Sequence, residues 1–213
     1  MIQLKEVCKR FGLVQAVAAA SLEIEPGEKV IIQGPSGSGK TTLLRLIAGL
    51  ELPTEGEIWI DGLLASKPGW AMAPHRRQIG VVFQRSALWP HMTVAQNLEF
   101  AMNGLSRQAR EVRLRMLLAQ AELTKLAQRY PDQLSGGEAR RTALARALAS
   151  QPRRLLLDEP LTNLDPDLKQ QFLTLILEYT SQADASLVYI THDDEEAGVI
   201  NGRLLRMQLG GLK

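Results

Sequence analysis

The run Gly34-Pro35-Ser36-Gly37-Ser38-Gly39-Lys40-Thr41-Thr42 constrains this chain more than any other segment. It follows a short apolar stretch, Lys29 to Gln33, and opens into the periodic apolar run Leu43-Leu44-Arg45-Leu46-Ile47. That order predicts a strand, a loop and a helix in succession. Glycines permit backbone angles closed to other residues, so successive N–H groups can turn inward around phosphate oxygens at the positive end of the helix. Lys40 is then placed to reach the β- and γ-phosphates of a nucleotide, and the Thr41 hydroxyl to ligate magnesium. A glycine-rich turn that only caps a helix requires neither the lysine nor the hydroxyl.

The rest of the pattern predicts a largely parallel sheet covered by helices. Short runs rich in Val, Ile and Leu recur near 2–7, 17–25, 29–33, 57–60, 79–83, 154–158, 186–191 and 203–207, separated by helical patterns. Turn signals at Pro26-Gly27-Glu28 and Asp61-Gly62 make the early strands read as hairpins, an antiparallel addition to the parallel core. Helical stretches near 93–103, 107–122 and 138–150 replace the strand signal and read as an inserted helical block. The expected organisation is one domain over 1–213, with a sheet lobe at about 1–83 and 151–213 and a helical lobe at about 84–150. Within 107–122, Arg107, Arg110, Arg113 and Arg115 stand among Val112, Leu114, Met116, Leu117 and Leu118, which reads as a solvated basic side beside a packed apolar one.

Composition limits the partners. Lys and Arg total 25 against 23 Asp and Glu, and a formal charge of +2 gives no field that argues for nucleic acid or anionic lipid. The single cysteine, Cys8, cannot form an internal disulfide, so a cytoplasmic setting is expected. The start, Met1 to Glu6, lacks the basic flank and long apolar run of a leader, and no stretch approaches the ~18 apolar residues of a membrane span. A role at a membrane would need another subunit to hold the chain there.

Two further segments carry chemistry. Leu155-Leu156-Leu157-Asp158-Glu159-Pro160 reads as an apolar strand ending in two acids, with Asp158 placed to hold magnesium and Glu159 to accept a proton from the attacking water. Leu134-Ser135-Gly136-Gly137-Glu138 leads into a helical run, and Ser135 with Glu138 has the spacing of a capping box. That box alone can be structural, but Gly136 and Gly137 also strip side chains from the helix start and leave its N–H groups open to a bulky anion. One nucleotide loop plus a second bare helix start suggests that the second serves a neighbour's nucleotide.

In combination these motifs resemble the ATP-binding cassette family, the ATPase subunits of ABC transporters, over nearly the whole chain. The resemblance implies an α/β fold with a P-loop (RecA-like) sheet core, an antiparallel β addition and an inserted helical subdomain. Phe11, in Lys9-Arg10-Phe11-Gly12, matches the aromatic that stacks on adenine, and Gln84, closing Val81-Val82-Phe83-Gln84, the glutamine that touches the magnesium and water site. Leu134 to Glu138 matches the family signature, Asn163-Leu164-Asp165 its D-loop, and His192 in Thr191-His192-Asp193 its switch histidine. The implied cofactors are ATP and Mg2+. ATP would be held by Phe11, Gly34, Pro35, Ser36, Gly37, Ser38, Gly39, Lys40, Thr41 and Thr42 of one copy and by Ser135, Gly136 and Gly137 of the other, with Asp165 of the D-loop also a nucleotide-binding residue. Magnesium would sit at Thr41, Gln84 and Asp158, and Glu159, His192 and Gln84 would carry catalysis.

The sequence also departs from the family. Ala139-Arg140-Arg141 follows the signature where many relatives have two glutamines before the arginine, and Gly198 to Arg203 lacks the alanine and aspartate usual before the last strand. The chain stops soon afterwards, so regulation through the C-terminal domain of sugar-importer relatives is not expected.

Ser86 to Val94 and Thr191 to Ala197 look like bacterial importers of small solutes, although exporter and lipoprotein-release relatives share much of the pattern. The implied partners are a second copy in an ATP-dependent homodimer, membrane-spanning permease subunits and, for an importer, an extracytoplasmic solute-binding protein. No nucleic acid is expected. The implied location is cytoplasmic, peripheral on the inner face of the cell membrane through the permease. Soluble relatives acting on nucleic acid or ribosomes usually carry two cassettes or a long coiled-coil insertion, and neither is present. A P-loop kinase would leave the signature and His192 unexplained. Leu88-Trp89-Pro90 either packs between lobes or lines a groove that receives a short permease helix.

Overall fold

A computed structural model of the chain describes residues 1–84 and 86–213. In chain order, β1 (Ile2–Phe11) and β2 (Val14–Ile24) form a hairpin, β3 (Lys29–Gln33) enters the phosphate loop, and α1 (Lys40–Ala48) leaves it. β4 (Glu55–Ile60), β5 (Leu63–Lys67), β6 (Trp70–Ala71) and β7 (Ile79–Val82) follow. The helices α2 (Val94–Phe100), α3 (Arg107–Gln120) and α4 (Gly136–Ala149) then precede β8 (Arg154–Asp158). The chain closes with α5 (Pro166–Gln182), β9 (Ser186–Ile190), α6 (Asp194–Ile200), β10 (Arg203–Gln208) and β11 (Gly211–Leu212).

Among the described residues the strands form two sheets. One is antiparallel with order β2-β1-β4-β5-β6, and the other runs β11-β10-β3-β9-β8-β7, parallel throughout except where β11 pairs antiparallel with β10. The parallel strands are apolar on both faces because both faces are covered. Successive side chains point to opposite faces, so Leu155 and Leu157 of β8 and Leu187 and Tyr189 of β9 enter the core that holds the helices α2 to α5, whereas Leu156, Val188 and Ile190 enter the core around α1 and the antiparallel sheet. This two-sided burial fixes the carboxyl ends of β3 and β8, where the chemistry-bearing residues emerge.

Three short strands escaped the sequence pattern: β5, β6 and β11. Each is held by pairing with a neighbour rather than by alternation of its own. α4 begins at Gly136, two residues before the predicted start, because Ser135 caps it reciprocally with Glu138. The basic side of α3 is only partly solvated. Arg107 and Arg115 are exposed, but Arg113 Nη2 donates to Leu148 O at 2.5 Å and its Nε to Ala149 O at 3.2 Å, supplying cationic donors to the last carbonyls of α4. Arg77 does the same for α1. Fully buried, it donates to Ile47 O at 2.8 Å and Leu46 O at 3.3 Å, and also to Ala65 O, Met72 O and Ser66 Oγ, so one guanidinium ties the α1 terminus to β5.

Candidate nucleotide site

The loop between β3 and α1 is shaped by its last glycine. Gly39 has φ 105°, and a Cβ there would stand 2.0 Å from Ala16 O, so the close approach of β2 admits only glycine. The following Lys40 is 8% exposed, and its Nζ donates to Gly34 O at 2.7 Å and Pro35 O at 2.9 Å. Both acceptors are main-chain carbonyls, so no acid neutralises the ammonium through these bonds. Beside it the Ser38 hydroxyl is buried with no hydrogen-bond partner among the described residues. An ammonium hydrogen-bonded only to main-chain carbonyls and an unpaired hydroxyl in one loop fit an anionic ligand.

The acid side comes from β8. Asp158 is 3% exposed, and its Oδ2 accepts from Thr41 Oγ1 at 2.6 Å. Burial, with Glu159 adding to it, holds the Asp158 carboxyl above its ordinary pKa despite the Thr41 bond and the charges of Lys40 and Arg45. Ser36 to Thr42, residues 14–16 of β2, Gln84, Asp158 and Glu159 wall one cavity of about 270 Å³. The structure thus gathers the loop, Gln84 and both acids.

Glu159 leaves β8 in the left-handed region at φ 47°, with its N–H donating to Ile190 O at 3.0 Å. Its Oε1 is 3.4 Å from His192 Nδ1, and the histidine side chain is 68% exposed. A network missed at the sequence level holds the flank of His192. Lys169 on α5 pairs with Asp193 and with Glu196, whose Oε2 also accepts from Thr191 Oγ1 at 2.7 Å and Tyr189 OH at 2.9 Å. The hydrogen bond between Lys169 and Asp193 is the chief cause of a lowered Asp193 carboxyl pKa and a raised Lys169 ammonium pKa, and Glu196 adds to the rise of Lys169. The only sequence trace of this network is a charge one turn into the helix after Asp165 and a run of acids after His192.

Other expected residues stand apart from that cavity. Phe11 ends β1 half-exposed, with Lys9 Nζ 4.8 Å from its ring centroid. Asp165 caps α5 by accepting from Leu168 N at 3.0 Å. Ser135, Gly136 and Gly137 form the start of α4 and do not wall the cavity; a Cβ on Gly136 would meet open space. α4 reaches the site by a different route: Arg140 donates to Glu159 O and Gln84 O, and Arg146 to Ala87 O at 2.8 Å and Ser86 O at 3.4 Å. Leu88 and Trp89 part company. Leu88 packs on the helical core, whereas Trp89 is 44% exposed and meets Phe100 edge-on at 5.7 Å.

A glycine-rich loop with a buried lysine at the carboxyl edge of β3, and a buried acid on β8 two strands away, define a P-loop nucleotide-binding domain. Residues 17–162 match the ABC transporter family, and the chain belongs to that family. It is 41% identical over 213 residues to the Fe(3+) ions import ATP-binding protein FbpC of Vibrio cholerae, covering 99% of this chain and 60% of that protein. It is 41% identical to the spermidine/putrescine import ATP-binding protein PotA of Chromobacterium violaceum, covering 99% and 58%, and 43% identical to the sulfate/thiosulfate import ATP-binding protein CysA of Gloeobacter violaceus, covering 98% and 60%. The chain therefore spans about 60% of the length of these relatives. The fold superposes with a TM-score of 0.90 and 35% identity on the dimeric post-hydrolysis structure of the ATP-binding cassette MJ0796 bound to ADP and Pi, covering 100% of this chain and 97% of that one.

Proposed function

We propose that this chain is the ATP-hydrolysing subunit of an ABC importer and acts as a homodimer with two shared nucleotide sites. The observation that carries the reading is the start of α4. It is capped, stripped of side chains at Gly136 and absent from the walls of the chain's own phosphate cavity, which suits it to a nucleotide held by a second copy. Phe11, exposed at the end of β1, is available to adenine, and Gly34 to Thr42 surround the phosphates. The Ser38 hydroxyl and Lys40 ammonium would exchange an unpaired and a main-chain environment for phosphate oxygens.

Thr41 and Asp158 are the hard-oxygen donors that fit magnesium, with Gln84 at the same cavity. When bound, magnesium would neutralise charge developing on the β- and γ-oxygens. Glu159 would take the proton of the attacking water, while His192, 3.4 Å from it, would hold the γ-phosphate side of the pair. Closure brings Ser135, Gly136, Gly137 and Asp165 of the second copy to the site, and loss of the γ-phosphate releases them. Gln84 stands where the sheet lobe, about 1–83 and 151–213, meets the helical lobe, about 84–150, and would report nucleotide state to the exposed Trp89.

Among the described residues no helix is long and apolar enough to cross a membrane. Permease subunits would hold the chain at the cytoplasmic face, with an extracytoplasmic solute-binding protein delivering the solute. Relatives of similar identity are named for ferric ions, for polyamine cations and for sulfate, which supports solute choice by those partners rather than by this chain. The test is complementation in a mixture. Lys40→Ala removes phosphate binding and Ser135→Arg obstructs the helix start; a heterodimer of the two holds one doubly defective site and one intact site. Recovery of ATPase activity on mixing is expected, and none despite proven heterodimers would overturn the shared sites.

A further inference from the structure

Arg140 lies in the second turn of α4, five residues beyond Ser135. Its Nη1 donates to Glu159 O and its Nη2 to Gln84 O, each at 2.8 Å. Both acceptors are main-chain oxygens, and both belong to residues whose side chains reach the chain's own nucleotide cavity. From these contacts we propose that Arg140 is a positioning residue that couples the two nucleotide sites of the dimer. The inference rests on the shared-site reading above and adds the physical link between the sites.

The link is short and stiff. A guanidinium is a planar fork whose donors keep a fixed separation, so it sets the Gln84 and Glu159 carbonyls at one spacing. The Glu159 peptide is the place where a fixed bond matters most. That residue occupies the left-handed region at φ 47°, a conformation the backbone keeps only when surrounding bonds over-determine it. Thr162 Oγ1 also donates to Glu159 O, at 3.2 Å, from the following turn, so Arg140 supplies the charged member of the set.

On the other side, Arg146 of the same helix holds Ala87 O and Ser86 O, so α4 grips the segment after Gln84 at two points. A movement of Gln84 or Glu159 in response to their own γ-phosphate is thereby delivered to α4. The start of α4 is the part offered to the other nucleotide. A glutamine at this place would offer two neutral N–H donors from a single nitrogen on a shorter stem, without the charge or the wider fixed fork of the guanidinium.

The experiment measures steady-state ATPase rates of the full chain against ATP concentration for wild type, Arg140→Gln and Arg140→Lys, with nucleotide affinity and melting temperature measured alongside. Arg140→Gln is expected to lower kcat roughly tenfold or more, to leave KM and nucleotide affinity within about twofold, and to bring the Hill coefficient from above one towards one. Arg140→Lys keeps the charge and loses the fork, so it should recover part of kcat without restoring the Hill coefficient. Unchanged kcat and Hill coefficient in Arg140→Gln overturn the proposal, as does a lowered melting temperature with normal turnover per folded molecule. A Glu159→Gln control keeps Arg140 intact. If it stays monomeric with ATP, the shared-site reading fails; if it dimerises while Arg140→Gln retains cooperative turnover, the coupling alone fails.

Discussion

Thr41 Oγ1 donates to Asp158 Oδ2 at 2.6 Å, joining the first turn of α1 to the end of β8. Both oxygens belong to the pair proposed to hold magnesium, so the contact that joins this helix to the strand is the one a metal would replace.

Replacing that acid should separate stability from activity. The raised Asp158 pKa means that the fold favours the protonated carboxyl. This contribution is present in full below the unfolded carboxylate pKa of about 3.9 and is lost as pH rises through the higher folded value. Asp158→Asn cannot lose it and keeps an acceptor for Thr41. The variant should melt at or above the wild-type temperature at neutral pH, with the gain shrinking towards pH ~4, while magnesium-dependent ATP hydrolysis disappears. Melting curves across that pH range check the sign; a clear loss at neutral pH would mean that the carboxylate is stabilising as an ion.

Glu159→Gln keeps the shape of the side chain and its left-handed turn but removes the proton acceptor. Turnover should fall about 100-fold or more with ATP binding retained. Because the γ-phosphate then persists, ATP should hold the protein as a dimer in size-exclusion chromatography. Wild-type turnover would remove Glu159 from the base role.

Arg77 is a stability residue. Burial pushes its pKa down to about 10, and its guanidinium serves four carbonyls and a hydroxyl. Arg77→Met matches much of the volume and leaves those acceptors unpaired, so a loss of ~3 kcal/mol in denaturant unfolding is expected. Arg77→Lys should recover little, since one ammonium cannot reach the same set.

Trp89→Ala tests docking. The ring is half-exposed and outside the core, so the isolated chain should keep its melting temperature and basal ATPase rate. Assembly with the permease subunits, measured by pull-down, should weaken by ~2 kcal/mol or more if the aromatic is a central contact. Undiminished assembly would move the docking surface elsewhere.

The features legible in sequence were those whose chemistry is local. Gly34 to Thr42 announces its loop because each residue type is required by backbone geometry or charge within the loop itself, and Leu155 to Glu159 shows a buried strand ending in acids without reference to its neighbours. The arginines were not legible in the same way. Arg113, Arg140 and Arg146 differ little in sequence context from a solvated basic residue, yet the fold sends each to carbonyls about 35 or more residues away or on another element. Helical periodicity reports which side of a helix is apolar, not which loop a long side chain will reach. The Lys169, Asp193 and Glu196 cluster was hidden for the same reason, since α5 and α6 meet only once β9 is in place.

Asn97 gives the Trp89 loop a further property. This fully buried amide accepts from Trp89 N at 2.9 Å and donates to Trp89 O, Met92 O and Thr93 O at 3.2, 3.0 and 3.0 Å, so the loop is anchored through its main chain. The exposed rings of Trp89 and Phe100 therefore rest on a preorganised platform and surrender little conformational freedom when covered. Shape and chemistry are separable in such a platform: side chains at 89 and 100 can change to suit a different partner surface while the buried amide preserves the path of the backbone. Altering the surface rings therefore changes what the platform fits and leaves the loop that presents them untouched.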